Sequence, residues 1–153
     1  MAVVVGTNSY IDEAALTAYA SLRGITLVKS PTALLILAMD YLAQYDGQWI
    51  GEKTDPLQAL DWPRIIDGVS STPSAIENAQ AQLAVYADTT DLMPVIGVGS
   101  GGTMTSRSVG DVSFGYSSGY RNQSPLFPLV SGLLKPYLSP FTGGAVNFAV
   151  RRQ

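Results

Sequence analysis

The order of hydrophobic and polar positions splits the chain into a front half with helical spacing and a back half largely without it. Met1 to Gly6 is a short extended lead. Asn8 or Ser9 is placed to cap a first helix by accepting its free amide hydrogens. Asp12 and Glu13 fall in the first turn, Leu16, Tyr19 and Ala20 form one apolar stripe, and Arg23-Gly24 stops the helix. Ser30-Pro31 restarts the chain as cap and first helical position. The run from Ala33 to Tyr45 is apolar nearly all round, the pattern of a helix buried on most faces, and predicts the central core helix, closed by Gly47. Asp55-Pro56 predicts a further helix of one or two turns over Leu57 to Asp61, ended by Pro63, which holds Trp62 extended. After a polar loop, Thr72-Pro73 opens a third long helix to about Asp88. Ile76, Gln80, Leu83 and Ala87 lie on its apolar side, and Glu77, Asn78, Gln82 and Asp88 on the other.

Beyond Gly97 the pattern changes to glycine and serine with partial alternation. Val112, Phe114 and Tyr116 share one face and Asp111, Ser113 and Gly115 the other, which is period two and predicts a β ribbon turning near Gly110-Asp111. Two strands alone are marginal in water, so pairing with neighbouring copies along the edges would stabilise it. Ser124-Pro125 opens a fourth helical segment, with Pro128 a possible later start and Pro136 its end. From Tyr137 the tail holds Phe141, Val146, Phe148 and Val150 with no core of its own; it is either loose or an extended arm, and docking on another subunit is the favoured reading. The expected class is mainly α: a small bundle of three or four helices with a β-hairpin or ribbon insertion and an extended C-terminal arm. One domain over 1–139 divides into a helical core at 8–89, a ribbon at 97–119 and a helix at 125–135, with the arm at 140–153.

Composition narrows the function classes. The 153 residues are 46% hydrophobic and only 14% charged, against roughly 25% in an average soluble chain. So few charges leave surface to be covered by other chains or by neutral polar groups. A net charge of −3 gives no general attraction for phosphates. Cysteine and histidine are both absent, which removes disulfides, thiol chemistry and the commonest general base and metal ligand. The longest apolar run, Ala33 to Met39, is far short of the roughly 20 residues that span a bilayer, and the N-terminus lacks a signal-peptide pattern. A soluble chain made in a cytoplasm, without cofactor or membrane partner, is expected.

Motifs for chemistry are weak. Gly97 to Gly102 fits G-x-G-x-x-G but precedes a strand-like segment, so it reads as a hinge and not a dinucleotide loop. Asp12 with Glu13, and Asp88 near Asp91, sit at helix ends in ordinary solvated positions, and no base is available to activate a serine. The chain is not expected to be an enzyme. For nucleic acid there are Arg107 and Arg121 flanking the ribbon, Tyr116 and Tyr120, and the terminal Arg151-Arg152. The densest spot is Gln58 to Arg64, where Trp62, Pro63 and Arg64 stand side by side. Trp62 packs on the core while Pro63 sets the exit of the chain; an overlapping reading has Trp62 or Arg64 contact a neighbouring subunit. Candidate interaction residues are therefore Trp62, Arg64, Arg107, Phe114, Tyr116, Arg121, Phe141, Phe148, Arg151 and Arg152.

Taken in order, Asn8-Ser9-Tyr10 before a helix ending Arg23-Gly24, the apolar second helix and Gln58-x-Leu60-x-Trp62-Pro63-Arg64 form one series. Pro73-x-x-Ile76-x-x-Ala79-Gln80 and Ser108 to Val112 complete it. The series resembles the bacteriophage head–tail connector, or neck adaptor, family over roughly residues 7 to 138. Members resembling this chain are often labelled DnaT-like single-stranded-DNA-binding proteins. The resemblance implies a structural virion protein, made in the host bacterial cytoplasm and located in the neck. It would form a homo-oligomeric ring, usually twelve-fold, beneath the portal. Its partners would be further copies, the portal protein, a tail-side neck or tail terminator protein, and genomic DNA passing through the lumen without specific binding. A single-stranded-DNA-binding module is the alternative.

Overall fold

A computed structural model describes residues 2–94 and 127–139 of the protein. Helix α1 spans Glu13–Ser21, α2 Pro31–Leu42 and α3 Ser74–Thr89, and α4 covers Pro128–Leu134. One 3₁₀ turn, Ala43–Tyr45, extends α2 and another, Lys135–Tyr137, extends α4. Between α2 and α3 lies a three-stranded antiparallel sheet in the order β1 (Glu52–Lys53), β2 (Arg64–Ile66), β3 (Val69–Ser71). Among the described residues helix accounts for 47% and strand for 11%. The architecture is helical with a small sheet, and corrects the expected mainly α bundle with an inserted ribbon. Among the described residues no helix is long and apolar enough to cross a membrane.

The sheet corrects the reading of 55–71 as a short helix and a polar loop. Asp67 and Gly68 both have positive φ, 51° and 81°, which is the backbone of the two-residue turns that match strand twist. That turn sets Ile66 opposite Val69 and Arg64 opposite Ser71. Gly51 makes the neighbouring crossing possible. Its φ is +72°, and a Cβ there would lie 2.4 Å from the Ile65 carbonyl oxygen. Pro56 and Leu57 form only a turn. Asp55 takes the Leu57 amide on its side chain and receives no continuing helix. The expected ribbon at 97–119 and arm at 140–153 lie outside the described residues. Of the segment at 125–135, helix begins at Pro128.

The first helix is capped by Asp12, whose Oδ1 accepts the Ala15 amide at 2.7 Å, and not by Asn8 or Ser9. Asn8 instead folds the lead segment, accepting from the Val4 amide. Ser30-Pro31 does open α2. The central position, though, belongs to α3 and not to α2. Helix α3 packs against α1, α2 and α4, and ten of its side chains are buried, against four in α2, where Leu37 is partly exposed. Its alanines at 79, 81, 84 and 87 explain this, because small side chains let three helices close around one axis. Gln82 and Asp88, expected on a solvated face, are buried as well.

A glutamine holds the centre. Gln80 is 0% exposed. Its Oε1 accepts from the amides of Tyr10 and Ile11 (2.9 and 3.2 Å), and its Nε2 donates to Ser9 Oγ (2.7 Å) and the Leu35 carbonyl (3.4 Å). One side chain thereby satisfies the buried backbone where the lead segment crosses the bundle, which would otherwise carry unpaired donors.

Candidate nucleic-acid interface

The sequence singled out Trp62 and Arg64, and both are turned into the molecule. Trp62 is 1% exposed, preceding Pro63 through a cis peptide bond. Its ring sits between Trp49 (centroids 5.8 Å apart, 77°) and Tyr137 (5.7 Å, 89°), the edge-to-face arrangement that aromatic quadrupoles favour. Arg64 donates from Nε to the Ile50 carbonyl (2.9 Å), from Nη2 to Gly51 (2.7 Å) and from Nη1 to Asp61 (3.4 Å). Gln58 Nε2 reaches the Leu60 and Pro63 carbonyls, and Asp61 accepts from Trp49 Nε1 while pairing with Lys53 at 3.3 Å. With strands of two or three residues, polar side chains do the tying that a longer ladder would. The other eight candidates, Arg107, Phe114, Tyr116, Arg121, Phe141, Phe148, Arg151 and Arg152, lie outside the described residues.

From this corner a row of aromatic rings crosses the domain. Beyond Trp49 it continues through Tyr45 (5.8 Å), Tyr41 (6.2 Å) and Phe127 (5.5 Å) to Tyr86, which stacks on Phe127 at 5.1 Å and 19°. Burial, with Tyr41 beside it, pushes the Tyr45 phenol up to about 12, and burial with the Asp61 charge does the same to Tyr10. Tyr45 and Tyr10 therefore stay neutral at physiological pH.

At the Tyr86 end the surface is different. Tyr19 and Arg23 stand one helical turn apart, so their side chains meet. The Arg23 guanidinium carbon lies 3.4 Å from the Tyr19 ring centroid, and its Nη1 donates to the Tyr19 carbonyl (3.1 Å). Tyr19 is half-buried and fixed by donating its hydroxyl to Gln82 Oε1 (3.0 Å), and burial raises its pKa. Arg23 is exposed, and no carboxylate pairs with it among the described residues. The neighbouring loop is pinned by Asp88, which accepts from the Val28 amide (3.0 Å) and the Lys29 amide (2.8 Å). Those two donors, Lys29's first, hold the Asp88 carboxyl below its ordinary value. Asp88 is thus a buried fastener, not the solvated helix-end carboxylate expected. Sequence reading took Tyr19 as core stripe and Arg23 as a helix stop, although a tyrosine and an arginine at i and i+4 were visible.

Such a surface offers a planar cation on an aromatic ring, the kind of platform on which unpaired bases stack. Among the described residues no group of three or more Asp or Glu is placed to hold a metal ion. The family model described as "Putative DnaT-like ssDNA binding protein" matches residues 2–153, so the chain belongs to that family. No curated protein and no solved structure matches it. The family match overturns the expected head–tail connector. The virion role fails with it, as do the ring, the portal and tail partners, and DNA passing without being bound. The resemblance rested on common helix signals and on a Trp-Pro-Arg corner whose side chains are occupied inside the fold.

Proposed function

We propose that this chain binds single-stranded DNA without catalysing a reaction on it. The observation that carries the reading is membership, over residues 2–153, of a family described as DnaT-like and single-strand-binding. The exposed Arg23–Tyr19 stack supports it, because base stacking is sequence-tolerant and worth about 1–3 kcal/mol per base. With a net charge of −3 the attraction is local and not global, so few phosphates are neutralised. The test is fluorescence anisotropy of a labelled oligothymidylate and of a duplex of equal length, titrated at rising salt. Tighter binding to the strand than to the duplex is expected, with a shallow salt slope. Failure to bind the strand, or equal affinity for both, overturns the reading.

A further inference from the structure

We infer that the strand is held on the rim formed by the end of α1, the α1–α2 connection and the C-terminal half of α3, centred on Arg23 and Lys29. This deepens the single-strand-binding reading and rests on it. Four observations meet on this rim. The first is the Arg23 guanidinium, one face on Tyr19 and the other open to stack a base. The second is that two exposed apolar side chains flank the two cations: Leu22 beside Arg23 and Val28 beside Lys29, each 86% exposed. Apolar surface alternating with positive charge complements a strand that presents bases and phosphates in turn.

The third is continuity. Tyr19 is tied to Gln82 and Lys29 Nζ donates to the Ala87 carbonyl. These α3 positions are five residues apart, roughly 7–8 Å along the axis and about 140° around it, so the α1–α2 connection carries the two cations around the C-terminal half of the same helix. The fourth is a groove of about 390 Å³ opening beside Lys29, with Leu37, Leu92 and Met93 in its walls. It offers apolar walls to a base beyond the arginine shelf. Asp91 also borders it, its Oδ1 taken by the Met93 amide, and the Asp88 carboxylate is occupied by the Val28 and Lys29 amides. Both of these carboxylates thus accept from backbone donors.

The other cations among the described residues are placed differently. Lys53 is paired with Asp61 and Arg64 is spent on carbonyls. Lys135 is exposed at the Tyr137 end of the aromatic row, with the rim at the opposite end. The rim is therefore the place where a stacking platform, positive charge and apolar surface coincide among the described residues.

The experiment measures anisotropy with labelled oligothymidylate for the wild type, Arg23→Ala, Arg23→Lys and Lys135→Ala, each checked for folding by circular dichroism. Arg23→Ala is expected to weaken binding about tenfold or more through loss of stacking. It should also make the log–log salt slope shallower by about 0.7, one phosphate contact on a single strand. Arg23→Lys should keep the slope but recover little affinity, since an ammonium has no plane to stack. Lys135→Ala should bind as the wild type does. If the wild type binds and Arg23→Ala binds equally well, the rim assignment is overturned while single-strand binding stands. If Lys135→Ala loses as much as Arg23→Ala, the rim is again overturned in favour of diffuse attraction. A wild type that binds no strand overturns both readings.

Discussion

Arg23 and Arg64 are the two arginines among the described residues, and the regions around them use the same side chain in opposite ways. Around Arg64 the backbone is irregular chain leading into strands of two and three residues, and the guanidinium fork is spent on three carbonyls of that chain. Around Arg23 the backbone is a regular helix end that needs one bond from the fork, and the planar face is left outward over Tyr19. Irregular backbone consumes donors, and regular backbone leaves them available for a ligand. A conspicuous sequence neighbourhood such as Trp-Pro-Arg therefore marks a difficult stretch of chain more readily than a binding site.

The contrast breaks most visibly if the corner proves dispensable. Trp62→Ala removes a fully enclosed indole between Trp49 and Tyr137, and the expected loss is about 3–5 kcal/mol in urea unfolding. A loss below about 1 kcal/mol would mean that the corner does not hold the domain together, and its claim to be structural would fall.

Much of the helical frame could be read from residue chemistry. Ser30-Pro31 marks the start of α2, Pro73 precedes α3, and Gly24 follows the end of α1. The sheet could not be read from alternation, because strands of two and three residues are shorter than any period-two signal. Its one legible mark was the dipeptide Asp67-Gly68, which supplies the positive φ angles of the turn. The centrality of α3 was hidden for another reason: alanines and a glutamine look less core-like than the leucine-rich α2. Burial of Gln80 depends on amides from Tyr10 and Ile11, some seventy residues earlier in the chain, which no local pattern announces. On the candidate rim, the Tyr19–Arg23 spacing was legible, whereas the proximity of Lys29 to α3 was not, since the Asp88 clamp creates it.

A paired substitution sharpens the comparison at smaller amplitude. Arg64→Ala leaves the Ile50 and Gly51 carbonyls without their charged donor and is expected to cost about 1–3 kcal/mol in urea unfolding. Arg23→Ala, on an exposed helix end, is expected to stay within about 0.5 kcal/mol of the wild type. Equal losses for the two would mean that inward and outward placement does not separate their roles.

The smallest effect follows from how each region is fastened. The corner is tied by several side chains, Arg64, Gln58 and Asp61 among them, whereas the loop at the rim hangs on one carboxylate. Asp88 is held below its ordinary 3.8 by the Lys29 and Val28 amides, so its folded pKa is depressed. The sign follows: its contribution is fully present above the unfolded value and is lost as pH falls through the folded one. In that acid window the α1–α2 connection should loosen before the corner does. The measurement is a proton NMR titration of the Val28 and Lys29 amides, whose shifts should move together below pH 3.8, with those of the sheet still in place. In Asp88→Asn the same amides should show no such step. If they moved only with global unfolding, Asp88 would be no separate fastener, and the rim would be as firmly built as the corner.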